Sequence, residues 1–396
     1  MKVLHICAND NTGAGLCCLR IHKSLLNNGI ESKVLTRKCS QNVQDVYEYG
    51  AFILKMSTLP SKLFRMFGFT VTKRNIIMKL MRENNTAYSL PTSPVDVTKH
   101  ALYEWADIIH LHWVCNYLDM PSFFYKCKKP VVWTLHDENL FYGIAHHHKS
   151  ILENNPLEIK YKNLKREAVS NANNLNIVFL SEMMYNRFGT EDFIANRHKV
   201  VINNAVDPSV FSIHDKKGMR EKYGLDMHKT IFAFVASDIG DPNKGLQILA
   251  EVLNEMDPLN FQILAIGSNS RSIHLPLVIS IGKVYNQNTM SEVLSAADYF
   301  AMPSYQEAFP QSPLEAMACG LPVVAFPVSG TSEMINEQNG VVCTDFSKDS
   351  LRIGIEDLLS KKYSPQSIRH DVVNRFSPDS IAQKYIDLYN KILKEQ

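Results

Sequence analysis

No run of eighteen apolar residues occurs in this chain, so it offers no candidate membrane-spanning helix. The opening "MKVLHICAND" lacks the charged, apolar and small-residue zones of a secretory leader and reads as a buried strand from residue 2. Cysteine is sparse. The eight residues at 7, 17, 18, 39, 115, 127, 319 and 343 fit neither a zinc spacing nor a dense disulfide framework. A reducing cytoplasm is the compartment this pattern fits. No repeat of solenoid period is present. A large surplus of one charge is also missing, with a formal net charge of +2, and nothing in the chain calls for nucleic acid. The charge is divided unevenly, however. Residues 1–200 carry 25 Lys and Arg against 17 Asp and Glu, and residues 201–396 carry 17 against 23.

What remains is a 396-residue chain, 45% hydrophobic and 21% charged, long enough for two domains. Short apolar runs at 2–7, 31–37, 107–113, 130–136, 176–181, 230–237, 261–267, 299–304 and 322–327 read as strands. Helical patterns lie between many of them, such as "GLCCLRIHKSLLNNG" (15–29). Continuous apolar strands alternating with helices predict parallel sheets covered on both faces. The series restarts near 230, which predicts two doubly wound α/β domains. The expected division is 1–205, 206–376 and a terminal amphipathic helix, 377–396, with Ile381, Tyr385, Leu388, Tyr389 and Ile392 on one stripe. Ligands of such sheets bind at the carboxyl ends of strands, so the cleft between the domains is the default site and strand-end motifs carry most weight.

One strand end holds "YQEAFPQSPLEAMACGLPVV" (305–324). Pro310 and Pro313 predict a loop followed by a helix with Ser312 as N-cap, Pro313 at the first position and Glu315 completing a capping box. That accounts for Glu315 but not for Glu307. A carboxylate on such a loop suits sugar hydroxyls, and nearby N–H groups suit a phosphate.

The two acids eight positions apart, followed by "EAMACGLPVVAF", resemble the retaining glycosyltransferases of family four, which have the GT-B fold. Further segments agree in order: "NTGAGLCCLRIHKSLLNNGIES" (11–32), "ADIIHLHW" (106–113), "PVVWTLHD" (130–137), "NNAVDPSVF" (203–211), "DPNKGL" (241–246), "SAADYFAMPS" (295–304) and "SGTSEMI" (329–335). The resemblance spans nearly the whole chain except about 41–95. It implies two Rossmann-like domains facing across a cleft: an acceptor-binding N-terminal domain, a nucleotide-sugar-binding C-terminal domain, and a last helix that returns to the first. It implies sugar transfer from a UDP- or GDP-sugar to a glycan or lipid-linked oligosaccharide in surface polysaccharide (O-antigen or capsule) assembly, with the anomeric configuration retained and no metal or other cofactor. Carried over by position, His136, Glu307 and Lys244 are the catalytic candidates. Gly13, Gly15, Ser237, Lys244, Gly267, Tyr285, Ala308, Phe309 and Glu315 face the donor, and His112, Asp137 and His146 the acceptor. The chain departs from the pattern where Ser237 replaces an arginine, where Ala205 replaces a glycine, and where Pro310 removes an N–H. These departures keep a non-catalytic sugar-nucleotide-binding relative open, and the fold also admits a nucleotide-sugar epimerase. A dinucleotide-dependent dehydrogenase fits poorly, because "GAGLCC" lacks the third glycine of its fingerprint.

Two clusters stand apart. The adjacent histidines of "AHHHKS" (145–150) do not converge on one metal ion and read as a polar loop lip. The segment 51–84 interleaves apolar residues with Lys55, Lys62, Arg65, Lys73, Arg74, Lys79 and Arg82. It reads either as a helical excursion packed on its domain or as a peripheral contact with an anionic membrane on the cytoplasmic face.

Overall fold

A computed structural model describes residues 1–57, 80–81 and 88–395. The greater part of 51–84, with the membrane contact expected of it, lies outside the described residues.

The chain forms two compact units. The first comprises Met1–Leu180, Met184–Ile202 and Ala382–Gln396. Its seven strands are β1 (Lys2–Cys7), β2 (Glu31–Thr36), β3 (Val46–Glu48), β4 (Ile108–Leu111), β5 (Val131–Leu135), β6 (Leu175–Phe179) and β7 (His198–Val201). They pair in parallel in the order β3-β2-β1-β4-β5-β6-β7. The second unit comprises Ser181–Met183 and Asn203–Ile381. Its strands are β8 (Thr230–Asp238), β9 (Phe261–Ser268), β10 (Val278–Ser280), β11 (Tyr299–Met302), β12 (Val323–Ala325) and β13 (Gly340–Val342). They are parallel too, in the order β10-β9-β8-β11-β12-β13.

Parallel order follows from composition. β4, β5, β11 and β12 have few side chains that tolerate water, and their residues are almost all enclosed. In the second unit Phe232, Phe234, Ile263, Leu249, Leu253, Ile355 and Leu358 form one core between strands and helices. Each sheet reverses its winding once, between β1 and β4 and between β8 and β11. These reversals are the switch points where open α/β sheets leave a crevice at the strand ends.

Two helix ends bear on the sites. The helix Gly13–Asn27 starts behind Thr12, whose hydroxyl accepts from Gly15 N–H. The helix after Glu307 runs Gln311–Ala318 with Pro310 as its N-cap and no side-chain cap bond, so the capping box expected at Ser312 and Glu315 does not form. Pro313 falls in the first turn, where N–H groups have no intrahelical acceptor, and the helix therefore begins two residues ahead of it. The last helix, Pro378–Lys394, encloses Ile381, Ala382, Tyr385, Leu388, Tyr389 and Ile392. From Ala382 onward it belongs to the first unit, where Tyr385 meets Thr134 (2.9 Å) and Tyr389 meets His110 Nδ1 (2.7 Å). Among the described residues no helix is long and apolar enough to cross a membrane.

Candidate functional site

In the first unit the switch point is lined by histidine. The ends of β1 and β4 are joined by His112 N–H donating to the Ile6 carbonyl (2.9 Å) and Ala8 N–H to the Trp113 carbonyl (2.7 Å). This register stacks the side chains of His5, His110 and His112, with His136 at the end of β5. His5 Nδ1 lies 3.0 Å from His112 Nε2, and His112 Nδ1 lies 3.0 Å from His136 Nε2. His110 packs at a tilt against His112, with ring centroids 4.1 Å apart and planes at 35°. Burial, reinforced by neighbouring imidazoles, holds His5, His110 and His112 well below the ordinary histidine pKa. Burial takes His136 down to about 4, against the opposing pull of Asp137. These are neutral hydrogen-bonding rings at pH 7.

His112 is 1% exposed and both its nitrogens are engaged, so the direct acceptor contact expected of it is replaced by a place beneath His136. Asp137 and His146 do come together. The Asp137 carboxylate accepts from Trp113 Nε1 (2.8 Å), His146 Nδ1 (2.6 Å) and Asn139 N–H (2.9 Å), and His146 stacks on Trp113. Burial works against the ionised form, but the His146 and Asn139 contacts outweigh it and keep Asp137 below the usual carboxylate range. The loop beyond is held from the helix Pro156–Ser170. The enclosed Lys165 ammonium donates to the Asn139 carbonyl, Asn139 Oδ1 and the Tyr142 carbonyl at 2.6–3.0 Å. Glu158 accepts from the N–H groups of Gly143, Ile144 and Ala145. Gly15 and Gly13 differ in kind. A Cβ on Gly15 would sit 2.1 Å from the Asn9 carbonyl oxygen, whereas one on Gly13 meets nothing within 4 Å.

In the second unit the switch point carries an ion pair. Lys244 ends a short turn, Pro242–Lys244, after β8, and Glu307 lies on the loop after β11. The loops are tied by Tyr305 N–H donating to the Asn243 carbonyl (2.8 Å). Gly245 permits the approach: its φ is +78°, and a Cβ there would lie 2.1 Å from the Pro303 carbonyl oxygen. Lys244 Nζ and Glu307 Oε1 are 2.7 Å apart, with the side chains 24% and 19% exposed. Burial alone would depress the lysine, but Glu307 raises its pKa above the ordinary value, so the ammonium stays charged.

The other donor-side residues spread around this pair. Ala308 and Phe309 are enclosed, the Phe309 carbonyl accepts from Asn204 Nδ2 (3.0 Å), and Phe309 packs under Gly330. Glu315 is half-buried in the second turn of its helix. Ser237 is exposed at the end of β8, where its carbonyl accepts from the Ser268 hydroxyl (2.7 Å). Gly267 serves packing, since a Cβ there would meet the Ala236 carbonyl oxygen at 2.0 Å. Tyr285 is 80% exposed with Lys283 over its ring.

Sequence reasoning missed His5, Trp113, Lys165, Glu158 and Arg271. His5 is the one polar residue among the enclosed positions of β1, the signal that could have drawn notice. Arg271 follows β9 and lies beside the position a Cβ on Gly240 would take, 3.1 Å from its own Cβ. Burial works against the ionised Asp238 carboxyl at the end of β8, but hydrogen bonds from Ser270 and Gly240, helped by the charge of Arg271, outweigh it and hold that carboxyl below its ordinary range. Among the described residues the one set of three side chains able to converge on a metal ion is His5, His110 and His112, whose ligand atoms lie within 4.8 Å of one another. Tyr389 and Thr134 occupy both nitrogens of His110, and His5 and His136 both of His112. The set is bonded as a hydrogen-bond network.

The sequence profile described as Glycosyltransferase Family 4 matches residues 11–210, and that described as Glycosyl transferases group 1 matches 229–361. The N-acetyl-alpha-D-glucosaminyl L-malate synthase of Bacillus anthracis is 22% identical over 313 residues, 73% of this chain and 76% of that protein. Sucrose-phosphate synthase from Thermosynechococcus elongatus superposes with a TM-score of 0.71 over 100% of both chains at 17% identity. Anabaena HepE, solved in complex with UDP-glucose, does so with a TM-score of 0.62 over 99% of this chain and 100% of its own at 20% identity. These structures share the GT-B fold with this chain.

Proposed function

Because the chain belongs to glycosyltransferase family 4, we propose that it moves a hexose from a nucleotide-diphosphate donor to a glycan or lipid-linked hydroxyl with retention at the anomeric carbon. The observation that carries this is the Lys244–Glu307 pair at the switch point of the second sheet. A diphosphate leaving group needs a cation that is already ionised and aimed. Glu307 keeps Lys244 both charged and oriented. When a donor docks, its phosphate oxygens compete for the ammonium, and the released carboxylate accepts hydrogen bonds from the sugar hydroxyls. Glu315 takes the ribose hydroxyls, and the Ala308 and Phe309 N–H groups face the diphosphate. Arg271 supplies the second positive charge that Ser237 does not.

In this reading the bond from the anomeric carbon to the phosphate oxygen breaks as the acceptor oxygen bonds to the same face of that carbon. The acceptor's proton passes to the departing phosphate. Lys244 stabilises the charge that grows there, a contribution of about 3–4 kcal/mol in a water-poor site. His136, being neutral, orients the sugar without repelling the positive charge that develops at the anomeric carbon. No step calls for a metal ion. HepE's complex with UDP-glucose makes uridine donors the first to test. If the acceptor is lipid-linked, the basic run within 51–84 suits the cytoplasmic face of an anionic bilayer.

A thermal-shift screen of UDP-, GDP- and ADP-sugars identifies the donor, and proton NMR of the product reads the anomeric configuration. Lys244→Ala is expected to lower turnover by about 10²–10³-fold. Unchanged turnover would remove the assignment, and a new sugar formed from donor alone would show epimerisation instead.

A further inference from the structure

The first unit contains more organised imidazole than the proposed transfer uses. His5 and His112 stand behind His136 in a row, with two nitrogen–nitrogen contacts of 3.0 Å each. We propose that His5 and His112 are positioning residues that fix the tautomer of His136, so that His136 presents an N–H at Nδ1. The inference rests on the reading above for what His136 does, but not for which nitrogen carries its proton.

A neutral imidazole has one N–H donor and one bare nitrogen acceptor. Two contacts in series therefore allow two consistent arrangements. In the outward one, His5 Nδ1–H donates to His112 Nε2, and His112 Nδ1–H donates to His136 Nε2. The proton of His136 is then at Nδ1. In the inward one every donor is reversed, and the last proton sits on His5 Nε2. Any mixture sets two N–H groups or two lone pairs face to face. The inner end of the row decides between them. His5 Nε2 is enclosed and has no hydrogen-bond partner among the described residues. The inward arrangement would bury an N–H with no acceptor, which native structures rarely tolerate; the outward one leaves only an unused lone pair.

The surroundings support a neutral row. His110 packs at a tilt against His5 and His112, and its own nitrogens are taken by Tyr389 and Thr134. His22 meets His5 edge-on and is itself held by Ser32 and the Gln44 carbonyl. Asp137 is the carboxylate next to His136, and its oxygens are engaged by Trp113, His146 and Asn139. Among the described residues no carboxylate is hydrogen-bonded to the row, and the pull of Asp137 on His136 is outweighed by burial. The outer ring is then a fixed donor, suited to a hydroxyl or phosphoryl oxygen of a substrate and unsuited to accept a proton at Nδ1.

Histidine-selective ¹⁵N labelling of the full chain tests this without any substrate. His136 is assigned by its loss in His136→Gln. At pH 7.5 its Nδ1 is expected in the pyrrole-type range and its Nε2 in the pyridine-type range. His5→Leu removes the inner donor and should shift His136 toward the Nε2–H form. His5→Asn, whose amide nitrogen replaces Nδ1, should restore the wild-type pattern. An Nε2–H or doubly protonated His136 in the wild type overturns the proposal, as does an unchanged tautomer in folded His5→Leu. If His5→Leu does not fold, the wild-type spectrum decides alone. Absence of transfer with every donor would remove the proposed function and leave this result standing.

Discussion

The two glycines of "GAG" show how much a single residue type can hide. Gly15 is demanded by the Asn9 carbonyl, and Gly15→Ala is expected to cost about 1–3 kcal/mol through overpacking, read as a lowered urea midpoint. Gly13 faces open space, so Gly13→Ala is expected to leave stability within about 0.5 kcal/mol. If that space admits the donor, the same variant raises the KM for donor, and steady-state kinetics separates the two effects. An unchanged KM would take Gly13 out of the donor site. Lys244 and Glu307 were singled out by the family resemblance, since a lysine before glycine in a turn and an acid on a strand-end loop have ordinary structural reasons to be there. The resemblance did not reveal that they touch, since 63 residues separate them. His5 was illegible for a different reason. Inside an apolar strand it reads as one tolerated polar residue, and its partners His110 and His112 lie on and just beyond β4, about a hundred residues away in the chain. His112 sits in the same strand-end context as His136, and only the register of β1 against β4 shows that it lies underneath.

At the scale of elements, the long apolar strands and the stripe on the last helix were readable from periodicity alone. The short strands β3, β7, β10 and β13 were not, because three or four residues at a sheet edge carry too little pattern. The helix Gln311–Ala318 was misplaced by reading Pro313 as its first residue, when a proline anywhere in the first turn costs no hydrogen bond. The last helix yields a direct prediction. Ala382, Tyr385, Leu388, Tyr389 and Ile392 are all enclosed, and losing them removes on the order of 10 kcal/mol of apolar burial. That is comparable to the whole stability of a domain. Truncation after Ile381 is therefore expected to leave the first unit unfolded while the second retains a cooperative transition. Circular dichroism melts of the full and truncated chains check this, and two intact transitions in the truncated chain would contradict it.

For the whole molecule, the enclosed histidines make acid the vulnerable direction. His5, His22, His110 and His112 all have folded pKa values below the unfolded value near 6.5, mainly through burial. Below that value the unfolded chain binds protons that the folded chain does not, so stability present above pH 6.5 is lost as the pH falls. Each group contributes about 1 kcal/mol per pH unit in that window. The urea midpoint is expected to drop steeply between pH 7 and 5.5, and a flat profile there would show that these rings are protonated in the fold.

The return of residues 382–396 to the first unit also has a temporal meaning. A ribosome delivers them only after the entire second sheet has emerged. The first unit must wait with Thr134 and His110 uncovered while that sheet is made.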